Sequence, residues 1–150
     1  MHWLEERVKL LYHSELQYLE NRRNDTAVEK GLLGRRKDRE FRASFLNEIK
    51  QLVQAVSEVD GISGCIACHD GLLVAKSGKL SDFEAVAAAA QECITYADKS
   101  TVPLQLGRLR QISIIGERAK LALVVMGDIA VGIVSPVETI LSQVLRDPGS

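Results

Sequence analysis

The chain has 150 residues, 46% of them apolar and 26% charged, with a formal net charge of -1. That length fits one domain with an extension better than two domains, and it supplies enough apolar material for a core. The near-zero charge excludes a global field that would attract nucleic acid or an anionic membrane, and no apolar run is long enough to cross a bilayer.

The start, Met1-His2-Trp3-Leu4-Glu5-Glu6-Arg7, puts two acids where a signal peptide needs a basic region, so a cytoplasmic location is expected. Three cysteines, an odd number, do not suggest a disulfide framework. From Trp3 to Arg23 the pattern is helical, with Leu4, Val8, Leu11, Tyr12, Tyr18 and Leu19 on one side and Glu15 interrupting them. The heptad spacing of Leu4, Leu11 and Tyr18 is too short-lived for a coiled coil. An amphipathic helix lying on the domain or on a partner is the expected form. Asn21 to Gly34 is a break, with Leu32-Leu33 its apolar patch and Thr26 and Glu29 able to cap a short turn. The domain boundary is placed there: residues 1–40 form a helical extension and linker, 41–146 the domain, and 147–150 a tail. Deleting residues 1–23 is expected to leave the domain folded and to change its solubility, assembly or partner choice.

Arg35 to Val56 forms the next helix, burying Phe41, Phe45, Ile49, Leu52, Val53 and Val56 at helical spacing. Its Arg-rich start opposes the helix dipole. Asp38 and Glu40 salt that run, and no aromatic interleaving accompanies it, so a solvated face is expected rather than a nucleic-acid site. Gly61 to Cys68 and Leu72 to Lys76 read as strands joined by His69-Asp70-Gly71, Asp-Gly being a strong hairpin signal.

The helix that follows, Leu80 to Lys99, organises the rest. Ser81 with Glu84 three residues on reads as a capping box, and the alanine run that follows favours helix. Phe83, Val86, Ala87, Ala90, Cys93, Ile94 and Ala97 make one apolar face suited to a sheet. Ala85, Ala89 and Tyr96 make a flatter strip that a second helix can approach. Glu84, Ala88, Gln91, Glu92, Thr95 and Lys99 point away from the sheet-facing side. A loop with Pro103 and Gly107 leads to three strands: Leu109 to Ile115, with Ile112 and Ile114 on one face, then Ala119 to Met126 and Ile129 to Val134. Gly116-Glu117 and Gly127-Asp128 suit the turns. Ser135, Pro136 and Glu138 read as the N-cap, N1 and N3 of a last helix reaching about Leu145, stopped by Asp147-Pro148-Gly149. From Phe41 the order is α-β-β-α-β-β-β-α, an α+β sandwich on a five-stranded antiparallel sheet.

Chemistry is hard to find. Cys65-Ile66-Ala67-Cys68-His69 has the letters of a haem-attachment motif, but on a strand its two cysteines point to opposite faces. The same geometry weakens a zinc reading, for which Cys93, His2 and His13 would be the remaining donors. Buried cysteines packing as small apolar groups are expected instead, with no metal and no cofactor. Gly71 to Lys79 fails the spacing of a phosphate loop. No catalytic residue stands out.

The element order resembles the roadblock/LC7 family, of the small-GTPase-regulator type found in bacteria and archaea. The strings that carry it are Val59-Asp60-Gly61-Ile62-Ser63-Gly64, Asp70-Gly71-Leu72-Leu73-Val74-Ala75, Gln111-Ile112-Ser113-Ile114-Ile115-Gly116 and Val125-Met126-Gly127-Asp128-Ile129-Ala130-Val131. The resemblance covers about Phe41 to Leu145, and His69 stands where the family's turn is often acidic. It implies a profilin-like fold and a non-enzymatic homodimer that binds a Ras-like small GTPase, with no nucleic acid and no membrane span. It implies a dimer joint through Ala85, Ala89 and Tyr96 and through the edge strand, where Arg110, Ile112 and Ile114 lie. The outer face of the central helix is then the expected partner surface. A scaffold subunit without a GTPase, or a small-molecule sensor of the PAS or GAF type, are the alternatives. A sensor needs a pocket with converging polar groups, whereas the last two strands offer mainly aliphatic and small side chains.

Overall fold

A computed structural model describes residues 1–26 and 31–146. Two long helices come first, α1 (His2–Arg23) and α2 (Leu32–Ser57). The hairpin β1 (Gly64–His69) and β2 (Leu72–Gly78) precedes α3 (Phe83–Thr101). A meander of β3 (Gln111–Ile115), β4 (Ala119–Met126) and β5 (Ile129–Pro136) leads to the one-turn helix α4 (Leu141–Val144). The five strands form one antiparallel sheet in the order β2-β1-β5-β4-β3, so β2 and β3 are its edges. The fold class read from the sequence is the one observed.

Local chemistry accounts for the turns. His69 pairs with Leu72, and the two residues between them, Asp70 and Gly71, have φ of 51° and 78°. Two successive positive φ values are what a type I′ hairpin requires, and Asp-Gly supplies them at little cost. Gly127, at φ 59°, opens the turn between Met126 and Ile129. The third turn falls one residue later than the sequence suggests: the Gly116 N–H donates to the Ala119 carbonyl at 2.9 Å, so Glu117-Arg118 are its central residues.

The alternation of strand side chains divides the core in two. On one face Cys65, Ala67, Val124, Val131 and Ile133 pack under α1, α2 and α4. On the other Ile66, Cys68, Leu123, Val125 and Ala130 pack under α3. Cys65 and Cys68 therefore face opposite cores, as their spacing on a strand implies. Burial pushes the Cys65 thiol up to about 12 and raises that of Cys68, so neither is a ready thiolate.

Three helix ends differ from the sequence reading. Asp82 caps α3, its carboxylate accepting from the Ala85 N–H at 3.0 Å, and Ser81 lies outside the cap. Asp at the N-cap also complements the helix dipole, which is why it displaces a neighbouring Ser. Ser135 does not cap a last helix. It pairs with Lys120 inside β5 and is fully buried, and Pro136 is the strand's last residue, so α4 begins only after Ile140. Strand pairing here outweighs the local cap signal. Third, α2 starts at Leu32, inside the stretch read as a break, which leaves Leu32 and Leu33 exposed. Glu29 of the Thr26/Glu29 cap and the Asp147-Pro148-Gly149 stop lie outside the described residues.

The first helix lies along the sheet. Leu4 and Val8 are wholly buried and Leu11 nearly so, in one cluster with Phe45, Ile49 and Val56 of α2 and with Val124 and Ile129 of the sheet. Near its other end, the Asp38 carboxylate of α2 accepts from Arg22 Nε at 2.7 Å and from the Tyr18 hydroxyl. These two contacts hold Asp38 below the usual carboxylate range. A lowered carboxyl stabilises the fold above its ordinary titration range, and that contribution is lost as pH falls through the lowered value. Asp38→Asn is therefore expected to flatten the acid limb of a stability-against-pH curve measured by urea unfolding. Because Asp38 is open to solvent, the effect is small and shrinks with added salt.

Candidate interaction surface

The α3 helix turns its alanines two ways. Ala87 and Ala90 are buried on the sheet, while Phe83, Val86, Cys93 and Ile94 pack around them half-buried. Ala85, Ala88 and Ala89 are exposed, and Tyr96 is 73% exposed. Past the helix end, Val102, Leu104 and Leu106 are exposed, and the chain then enters the edge strand β3, where Ile114 and Ile115 are exposed as well. Large apolar side chains thus cluster along one stretch of the chain, next to the free hydrogen-bonding side of a strand. An open strand edge is normally covered by something.

The residues singled out in the sequence separate into groups. Glu84, Ala88, Glu92, Thr95 and Lys99 are exposed along α3. Gln91 is not on that outer face: it is half-buried, its side chain reaches the Cys68 thiol, and its amide oxygen sits 3.9 Å from where a Cβ on Gly71 would stand. On β3, Ile112 pairs with Leu123 and packs into the α3-side core, leaving Ile114 the more exposed of the two. Arg110 is exposed, but it also reaches back to α1, donating to Glu5 at 2.5 Å.

A second cluster went unseen in the sequence. Glu15 of α1, His69 at the end of β1 and Asp128 in the β4–β5 turn meet: His69 Nε2 lies 2.5 Å from Glu15 Oε2 and 3.1 Å from Asp128 Oδ2. The Asp70 N–H holds the two turns together by donating to the Asp128 carbonyl at 3.0 Å. Glu15 is only 9% exposed, and its carboxyl is held above the usual range, first by burial and then by its contact with Asp128, with His69 opposing. The signal in the sequence was Glu15 itself, an acid in the middle of an apolar helix face. Glu15 and His69 also form part of the wall of a cleft of about 520 Å³ between α1, α2 and the β1–β2 turn. Tyr18 stacks on Phe41 within it, centroids 4.0 Å apart, and Phe45 meets the His69 ring edge-on at 5.3 Å.

No protein-family model and no curated protein matches the chain. Solved structures do. MglB of Myxococcus xanthus superposes with a TM-score of 0.60 at 12% identity, covering 66% of this chain and 77% of that one. A roadblock/LC7 domain from Streptomyces avermitilis gives 0.53 at 16% identity, covering 59% and 78%. The gliding protein MglB of Thermus thermophilus gives 0.51 at 16% identity, covering 66% and 76%. The fold is that of the roadblock/LC7 domains. At these identities the likeness is one of backbone, and the roadblock/LC7 fold carries it through helix order and sheet topology. Among the described residues, no helix is long and apolar enough to cross a membrane.

Proposed function

We propose that this chain is a cytoplasmic, non-catalytic homodimer that binds a Ras-like small GTPase and biases its nucleotide state. The observation that carries the reading is the run of exposed apolar residues from Tyr96 to Ile115, beside the open edge of β3, in a fold shared with MglB. Pairing two copies through the strip of Ala85, Ala89 and Tyr96, and through β3 with Arg110, Ile112 and Ile114, covers that edge. It also sets two α3 helices side by side. Their outer faces, with Glu84, Ala88, Glu92, Thr95 and Lys99, become one broad platform. Gln91 supports that face from beneath rather than touching a partner.

The dimer has a direct test. Small side chains let two helices approach closely, and an arginine there is too bulky for that approach. Ala89→Arg is expected to convert a dimer mass to a monomer mass in light scattering at micromolar concentration. A monomer mass for the unmodified chain would remove the joint.

A regulator must bind one nucleotide state better than the other, because only differential affinity shifts a two-state switch. No arginine is marked as catalytic, so any acceleration of hydrolysis comes from positioning the GTPase's own groups. The experiment titrates small GTPases of the same genome, loaded with GDP or a GTP analogue, against the chain. A Glu92→Arg, Thr95→Arg double variant is expected to lose at least about tenfold in affinity, as charge reversal and steric crowding at an interface do. Equal affinity for both nucleotide states puts a scaffold role ahead of regulation, and unchanged binding by the variant moves the contact off α3.

A further inference from the structure

We propose that Glu15, His69 and Asp128 form a binding site for a divalent metal ion of the zinc type, which clamps α1 to the sheet. One ligand atom from each residue lies within 4.8 Å of the other two. An imidazole nitrogen with two carboxylate oxygens is a zinc-type donor set, and Glu15 and His69 border an open cleft from which water can supply a fourth ligand; magnesium and calcium favour oxygen alone. The trio draws its members from three separate elements, so its geometry is a product of the tertiary fold and not of a local motif.

Charge points the same way. Two carboxylates face each other across one imidazole, and among the described residues His69 is the only cation within ion-pair distance of either. With both carboxylates ionised, negative charge exceeds positive even when His69 is protonated, against a helix face that is otherwise apolar. The Oδ1 atom of Asp128 is buried and has no hydrogen-bond partner. It is a further oxygen available to an ion. Zinc holds nitrogen and oxygen ligands at roughly 2.0–2.2 Å, which sets tetrahedral ligand atoms roughly 3.3 Å apart. The 3.1 Å pair already has that spacing, and the 2.5 Å pair reaches it by a side-chain movement of less than about 1 Å. A bound cation balances the negative charge of the two carboxylates. Its binding free energy also becomes attachment energy for α1.

The full chain, stripped with a chelator, is titrated with Zn²⁺ by calorimetry. One ion per chain is expected, with a rise in melting temperature. Co²⁺ in its place is expected to give the visible absorption of a four-coordinate site without a thiolate charge-transfer band, since Cys68 faces the other core and Cys65 lies at the opposite end of β1 from His69. His69→Ala and Asp128→Asn are each expected to weaken binding by about tenfold or more. A His2→Ala, His13→Ala double variant is expected to bind as the parent does. If His69→Ala fails to fold, Asp128→Asn decides, because its side chain lies in a turn. Absence of saturable binding, a thiolate band, or affinity unchanged in both His69→Ala and Asp128→Asn would overturn the site and leave an ion-pair network.

Discussion

Leu4→Ala is expected to destabilise the protein by about 3 kcal/mol, and removal of residues 1–23 to unfold it. Leu4 is wholly buried between α1, α2 and the sheet, in the same cluster as Ile49, Val124 and Val131. Truncating it removes transfer free energy and leaves a cavity that helices held on two sides cannot close. For a domain of this size about 3 kcal/mol lowers the melting temperature by roughly 10 °C. Deletion goes further. It bares one face of the sheet over β4 and β5, removes Glu15 from beside His69, and leaves Asp38 without Arg22 and Tyr18. Calorimetry on Leu4→Ala, with circular dichroism on the shortened chain, checks both. A shortened chain that melts cooperatively near the parent temperature would mean that α1 is an appendage after all, the role its sequence suggests.

Gly78→Ala is expected to cost about 3 kcal/mol or more, while Gly107→Ala costs only about 1 kcal/mol. Both glycines have positive φ, 104° and 80°. They differ in what surrounds them. A Cβ on Gly78 would stand 2.6 Å from the Gly64 Cα and 2.6 Å from the Ser63 carbonyl oxygen, both of them backbone, whereas nothing lies within 4 Å of a Cβ on Gly107. The Ser63 carbonyl is also fixed from the other side, accepting from the Lys79 N–H at 2.8 Å. Neither strand can yield without breaking the β1–β2 ladder where it hands the chain to α3. Urea unfolding of the two variants separates the steric cost from the conformational one. Equal losses would show that the close approach of β2 to β1 is softer than its geometry implies.

These effects mark where local and non-local physics divide in this chain. The sequence by itself determined the succession of helices and strands, the Asp70-Gly71 turn and the two faces of α3. Each depends on neighbours within a few residues: a 3.6 or 2.0 periodicity, a positive φ that glycine accepts, an alanine run with nothing to oppose a helix. It also placed Cys65 and Cys68 on opposite faces, because a strand alternates regardless of its partners. The surface strip of Ala85, Ala89 and Tyr96 was legible for the same reason, as were the exposed positions of Glu84, Glu92, Thr95 and Lys99. Only the tertiary structure decided the rest. Gln91 has the spacing of a surface residue, but the β1–β2 turn comes up beside it and draws its amide toward Cys68. Ser135 has the setting of a helix cap, but pairing with Lys120 keeps it in β5. Arg110 sits at the mouth of an edge strand, yet it pairs with Glu5, 105 residues earlier. The meeting of Glu15, His69 and Asp128 has no periodicity at all. It exists because α1 docks along the sheet at the end where two hairpin turns come together, and that docking is set by the burial of Leu4, Val8 and Leu11 against strands more than a hundred residues away.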